Sequence, residues 1–218
     1  MALPGFLRRL FGGAPRGPGW TILDPRPVRA AHPYTFFVPS EDEIAALQPG
    51  DLVKMTFEGP EGGERMWVIF GGRDSAGCFG TLDNQPLSIP GLGLGDQIRF
   101  QDFNIISVME TRFPNPDALE RLAFTRCRVD PAVLAEGGVI MRAERAAPED
   151  VEGVHSPDSG WHFYGSLDGG PPRDKMQFLA LGVVLNKDDS ILPMLDAPAG
   201  TLARRDGDNG HLTLQRPD

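Results

Sequence analysis

Cysteine is scarce in this chain of 218 residues: Cys78 and Cys127 stand alone, one in each half, with no Cys-x-x-Cys pair and no histidines at zinc-ligand spacing. That argues against a disulfide framework and a zinc finger, and it points to a reducing compartment, so a cytoplasmic location is expected. Long apolar runs are also missing. Nothing approaches the roughly 20 residues that a membrane span needs, and FLRRLF at residues 6–11 is too brief for a secretory leader. Lysine is nearly absent, with Lys54, Lys175 and Lys187 against 18 arginines. No segment recurs at a period of 20–50 residues, which excludes a solenoid.

What the chain has in quantity is punctuation. Its 27 glycines and 21 prolines interrupt it too often for long helices or long parallel βαβ units. Short strands joined by turns are expected instead. Apolar residues make up 40%, ample for a core, and the charged fraction of 23% is ordinary. The net charge of −9 is uneven: residues 1–19 are basic, whereas residues 20–110 and 111–218 are both acidic. An acidic body repels phosphate backbones and steers cationic surfaces toward it, so a nucleic acid is a poor partner and a cationic protein a better one.

These patterns predict an α+β fold of two small units, each a mainly antiparallel sheet with short helices. A basic tail is expected over 1–19, a β-rich domain over 20–110, a linker helix over 111–124 and an α+β domain over 125–218. In the first domain an edge strand is expected at Tyr34–Val38. Ser40 and Glu43 form a capping box ahead of a short helix. DLVKMTFEG, ERMWVIFGG, GCFGTLDN and DQIRFQDFNIISVM read as strands, the second apolar on both faces and therefore central. In the second domain FTRCRVD, VIMRAERA, GWHFYGSL and MQFLALGVVLN read as strands. NPDALERLAF, capped by Asn115 with Pro116 at its first position, PAVLAEGG and DSILPMLDAP, capped by Asp189 or Ser190, read as short helices.

The stretch PDSGWHFYG at 157–165 is the candidate chemical motif. A nucleophile elbow needs glycines two before and two after the serine, ahead of a helix. Here Pro157 occupies the first place, Gly160 follows at once and an aromatic strand comes next, so Ser159 fails the pattern. Alternation puts Trp161 and Phe163 on one face and His162 on the other. The structural reading is a turn in which the Asp158 side chain accepts from the amide two residues on and Gly160 supplies the backbone freedom. His155, Asp158 and His162, with His32 and His211 near the ends, supply no third strong metal ligand, so no metal is expected. FGGRDSAGCFG and IPGLGLGDQ lack the lysine and Ser/Thr of a phosphate loop and do not open a helix, so no cofactor is expected either. Glu64, Asp83 and Asp96 read as solvated acids.

The series CRVDPAVLAEGG, MRAERAAP, DSGWHFYGSLDG and SILPMLDAPAGTLARRDG, over roughly residues 125–206, resembles a family of bacterial immunity-protein domains encoded in polymorphic-toxin loci. The chain differs from that pattern by the insertion PEDVEGVH and by SLD where the family has an acidic residue directly after the glycine. GDLVKMTFEG, ERMWVIFGG, FGTLDNQP and LGDQIRF resemble another small bacterial domain of unknown function. Neither resemblance implies a catalytic set. Together they imply a bacterial cytoplasmic protein of α+β units that acts by contact. With the acidic balance and the lack of a reaction constellation, the expected function is a non-enzymatic, immunity-like module that binds and masks a partner protein, such as a cationic toxin or effector. Its partner-binding residues are expected to include Trp67, Asn84, Asp158, Ser159, Gly160, Trp161 and His162. The alternatives are a hydrolase using Asp158, Ser159 and His162, and a housekeeping adaptor.

Overall fold

A computed structural model describes residues 19–109, 118–150, 153, 155–206 and 210–215. The fold is α+β, with two sheets of mainly antiparallel strands and short helices among the described residues. Among the described residues, those within 19–27 and 38–109 make the first compact unit, and those within 28–37 and 118–215 the second. This division departs from the expected one at residues 28–37, and at the linker helix, which belongs to the second unit. The expected tail and the Asn115–Pro116 cap lie outside the described residues.

In the first unit β1 (Thr21–Ile22) pairs with the strand that forms later from Leu52. Chain continuity then runs through α1 (Arg26–Ala31), whose later residues belong to the second unit, and no strand forms at 34–38. The next helix, α2 (Glu41–Ala45), begins at the expected capping box, in which the Ser40 hydroxyl accepts from the Glu43 amide and the Glu43 carboxylate accepts from the Ser40 amide.

The sheet follows from alternation in β2 (Leu52–Gly59), where Val53, Met55 and Phe57 are fully buried. Strand β3 (Gly62–Asp74) buries Met66, Val68 and Phe70 against them, and β4 (Gly77–Leu82) and β5 (Gln97–Phe100) extend the meander. Strand β3 is central as expected, but its second face is open: Trp67 is half-buried and Ile69 exposed. The run DQIRFQDFNIISVM is not one strand. After Phe100 the Asn104 side chain accepts from the Gln101 amide and donates to the Leu23 carbonyl, closing a 3-10 turn, and β6 (Ser107–Met109) returns to pair with β2.

In the second unit α3 (Ala118–Phe124) leads into β7 (Arg126–Val129). Then come α4 (Pro131–Leu134), capped by Asp130, and the strands β8 (Arg142–Arg145) and β9 (Asp158–Tyr164). MQFLALGVVLN divides: β10 (Gln177–Ala180) is a strand, whereas α5 (Leu181–Leu185) is a buried helix. The apolar run suits either state, and within α5 Gly182 lets the helix backbone approach the Tyr34 carbonyl. DSILPMLDAP gives only a 3-10 turn at Leu192–Met194, without a side-chain cap. Two strands unexpected from sequence, β11 (Leu202–Arg205) and β12 (Leu212–Gln215), complete the order β10-β7-β9-β8-β11-β12. Only β7 and β9 run parallel among these pairs. The core gathers Trp161, Phe163, Val129, Ala143, Leu181 and Ile191 beneath one face of this sheet.

Tyr34 places residues 28–37 in the second unit. Its amide donates to Asn186 Oδ1 at 3.0 Å and its hydroxyl to Asp189 at 2.7 Å. A Cβ on Gly182 would lie 2.1 Å from the Tyr34 carbonyl oxygen. Gly182→Ala is therefore expected to destabilise the second unit by about 1–3 kcal/mol, measured as a shift in the urea midpoint of a transition reported by Trp161 fluorescence. An unchanged midpoint would contradict this packing.

Candidate functional site

The expected DSGW turn forms, but it is buried. Asp158 Oδ1 accepts from the Gly160 amide at 3.0 Å, and Asp158 Oδ2 accepts from the Glu149 amide at 3.2 Å. Gly160 has φ of +75°, and its missing Cβ leaves room for the Ala146 carbonyl, to which a Cβ would come within 2.2 Å. The Ser159 hydroxyl donates to the Arg126 carbonyl at 2.7 Å and accepts from the Trp161 amide. The Trp161 indole N–H donates to the Leu195 carbonyl, and its ring stacks on Phe163 with centroids 6.0 Å apart. Asp158, Ser159, Gly160 and Trp161 are thus all buried, with their polar groups bonded inside the unit, contrary to the surface position expected of this turn.

His162 alone of this group turns to the other side of the sheet. It pairs across the strands with Arg128 and Glu144, whereas Phe163 beside it pairs with Val129 and Ala143 in the core. The hydroxyl and imidazole of the hydrolase alternative are thereby assigned to different surroundings: Ser159 to a backbone carbonyl, His162 to a field of arginines. Trp67 and Asn84 belong to the first unit and are adjacent there. The Trp67 amide donates to Asn84 Oδ1 at 2.5 Å, and the Lys54 ammonium lies 4.1 Å from the indole centroid.

The surroundings of His162 form an array of charged side chains on the outward face of the second sheet. Strand register sets Phe178, Arg128, His162, Glu144 and Leu202 in one row across β10, β7, β9, β8 and β11. Tyr164, Arg142 and Arg204 form the next row. The Arg142 guanidinium lies 4.0 Å from the Tyr164 ring centroid, and that of Arg128 lies 4.9 Å from the Phe178 centroid. Such stacking holds a guanidinium plane in place while leaving its edge available.

Carboxylates meet these arginines incompletely. Glu149 pairs closely with Arg173 but reaches Arg128 only at 3.9 Å, while Glu144 is 3.4 Å from Arg142 and Asp168 3.2 Å from Arg204. Among the described residues, the side chains of Arg126 and Arg128 donate no hydrogen bond. The Nε groups of Arg126, Arg128 and Arg142 are buried without a partner. Burial lowers the His162 pKa from its ordinary value, and the nearby Arg173 and Arg128 lower it further, against weaker opposing effects of Asp158 and Glu144.

Elsewhere, polar side chains serve as loop staples. Glu64 accepts from the amides of Leu87 and Ser88, which lowers its pKa, and Asp96 accepts from the Gly93 amide. Both glycine-bearing loops close as turns: Asp74 accepts from the Ala76 amide in one, and Gly91 and Gly95 adopt positive φ in the other. Burial raises the thiol pKa of Cys78 to about 12 and raises that of Cys127 as well. No group of three or more potential metal-ligating side chains occurs among the described residues, and no described helix is long and apolar enough to cross a membrane. Sequence reasoning missed the arginine face. Its trace was the every-second-residue placement of Arg126 and Arg128 between the apolar Cys127 and Val129, whereas Arg145 and Arg205 interrupt the same alternation around Arg142 and Arg204.

Two outcomes test this geometry. Gly160→Ala is expected to cost about 3 kcal/mol, because positive φ and the Ala146 carbonyl both oppose a methyl group; chemical denaturation would measure it. For His162 the folded pKa is depressed, so the unfolded chain binds more protons once pH falls toward the ordinary value near 6.5. Stability is expected to decline from there down to the lowered folded value and then level. His162→Gln should flatten that part of a pH-melting profile, and a profile unchanged by the substitution would refute the assignment.

No family model matches the chain, and neither a curated protein nor a solved structure matches it.

Proposed function

We propose that the protein acts as an immunity-like binding module, which docks on a partner protein through the outward face of its second sheet and masks the partner's surface. The observation that carries this reading is the pair of adjacent rows around His162, in which the Phe178 and Tyr164 rings hold Arg128 and Arg142, neither with a full set of internal hydrogen bonds. Arginine and aromatic side chains are the groups that most often dominate protein interfaces when they are held rigidly and partly shielded from water. The sheet supplies that rigidity, and the resemblance of DSGWHFYG to immunity domains agrees with it. A standard interface buries about 800 Å² on each partner, an area within reach of a six-stranded sheet face.

The first unit contributes a second exposed surface around Trp67. There Ile69 and Met109 are exposed on the side away from the core. The outward arginines make the second sheet the better candidate, because their charge is only partly matched within the chain.

Proteins encoded beside the gene, purified one at a time, provide the test. One of them is expected to bind the full chain and to slow hydrogen exchange over 126–129, 142–145 and 158–164. His162→Glu should weaken that complex by about tenfold or more, since it adds a charge at the centre of the contact. A complex whose protected amides lie wholly outside these strands would overturn the assignment of this face.

A further inference from the structure

Resting on the protein-binding reading above, we propose that the arginine face receives an acidic segment of the partner, and that Glu149 is the internal stand-in which the partner's carboxylate displaces. The Glu149 backbone is tethered by its amide to Asp158 Oδ2, so the buried DSG turn sets where its side chain can go. From there the carboxylate engages Arg173 and falls short of Arg128, at 3.9 Å. A hydrogen bond between these groups would be about 2.7–2.9 Å.

Arg128 is thus attracted to a carboxylate it does not fully bind. Its side chain is only 16% exposed, whereas that of Glu149 is 45% exposed. A shielded guanidinium without hydrogen bonds is costly, and an incoming carboxylate that binds its free edge removes that cost. Arg126, on the same strand, is in the same condition, with a buried and unpartnered Nε. Glu149, being half-exposed and held by a separate loop, can turn to solvent without disturbing the sheet.

Charge selects the class of partner. Arg128, Arg142, Arg173 and Arg204 meet the rim carboxylates Glu144, Glu149 and Asp168, and Arg126 lies opposite Asp158, which is already engaged by two amides. The patch is therefore locally cationic on a chain of net charge −9. A cationic partner, though steered by the overall charge, meets guanidinium groups here. A nucleic acid meets the repulsive long-range field and the rim carboxylates together. A segment with a few spaced aspartates or glutamates gains the local pairs without carrying a continuous phosphate charge.

The test measures fluorescence anisotropy of a labelled glutamate-rich peptide with the full-length chain, alongside a lysine-rich peptide of equal length and a single-stranded oligonucleotide. The glutamate peptide is expected to bind in preference to both and to weaken as salt is raised. Glu149→Gln should tighten it several-fold, while Arg128→Gln should weaken it by about tenfold. Arg128→Lys serves if Arg128→Gln does not fold, because it keeps the charge and stem but loses the fork. Preference for the lysine peptide or the oligonucleotide, absence of glutamate-peptide binding, or indifference to both positions would overturn the proposal. If the glutamate peptide failed to bind while Arg128→Gln or Arg128→Lys still abolished capture of a protein encoded beside the gene, the binding reading would survive and the acidic-partner inference alone would fall.

Discussion

The carboxylate of Asp158 is the constraint on which the second unit depends. One oxygen fixes the turn at Gly160 and the other fixes the amide of Glu149. The turn in turn starts β9, the strand that joins β7 to β8 in the middle of the sheet. From this one group follow the burial of Trp161 on one side and the placement of half-buried His162 among arginines on the other. Bonds from a carboxylate to two backbone amides inside a shielded site resist replacement, because any substitute leaves an amide unpaired. The motif that looked chemical in sequence is therefore a structural junction.

A second buried polar junction reinforces the opposite edge. Arg205 points toward the core side of β11, where it donates to the Ile140 carbonyl, to Asp188 at 2.5 Å and to the Ser190 hydroxyl. Burial alone would raise the Asp188 pKa, but hydrogen bonds from Ser190 and the Ile140 amide, with the Arg205 charge, bring it below its ordinary value. The arginines of this unit thus divide by environment. Arg205 is fully engaged and serves the fold, while Arg126 and Arg128 keep buried Nε groups without a partner.

Much of the fold was legible because alternation was strong. Val53, Met55 and Phe57 mark β2, and Ser40 with Glu43 marks the start of α2, since both patterns act over a few residues. The internal bonds of the DSG turn were legible for the same reason. Its burial was not, because the covering Ala146 carbonyl comes from a segment twelve or more residues earlier. MQFLALGVVLN was ambiguous because an all-apolar run fits a strand or a buried helix equally. Strands β11 and β12 were obscured by Arg204 and Arg205: only long-range pairing shows that the first faces outward and the second is neutralised inside. Residues 28–37 were assigned to the wrong neighbour because the bonds from Tyr34 to Asn186 and Asp189 span most of the chain length. The arginine face required strand order, which no local pattern encodes.

The parallel pairing of β7 with β9 has a kinetic consequence. In the first sheet β2, β3 and β4 are successive hairpin neighbours, so each strand finds its mate soon after synthesis. In the second, β7 waits for β9 on one side and for β10 on the other, both beyond a long intervening stretch of chain. Contacts that close large loops form slowly. The first unit is thus built to fold early on the ribosome, while Cys127 and the apolar face of β7 stay uncovered until much of the remaining chain has emerged.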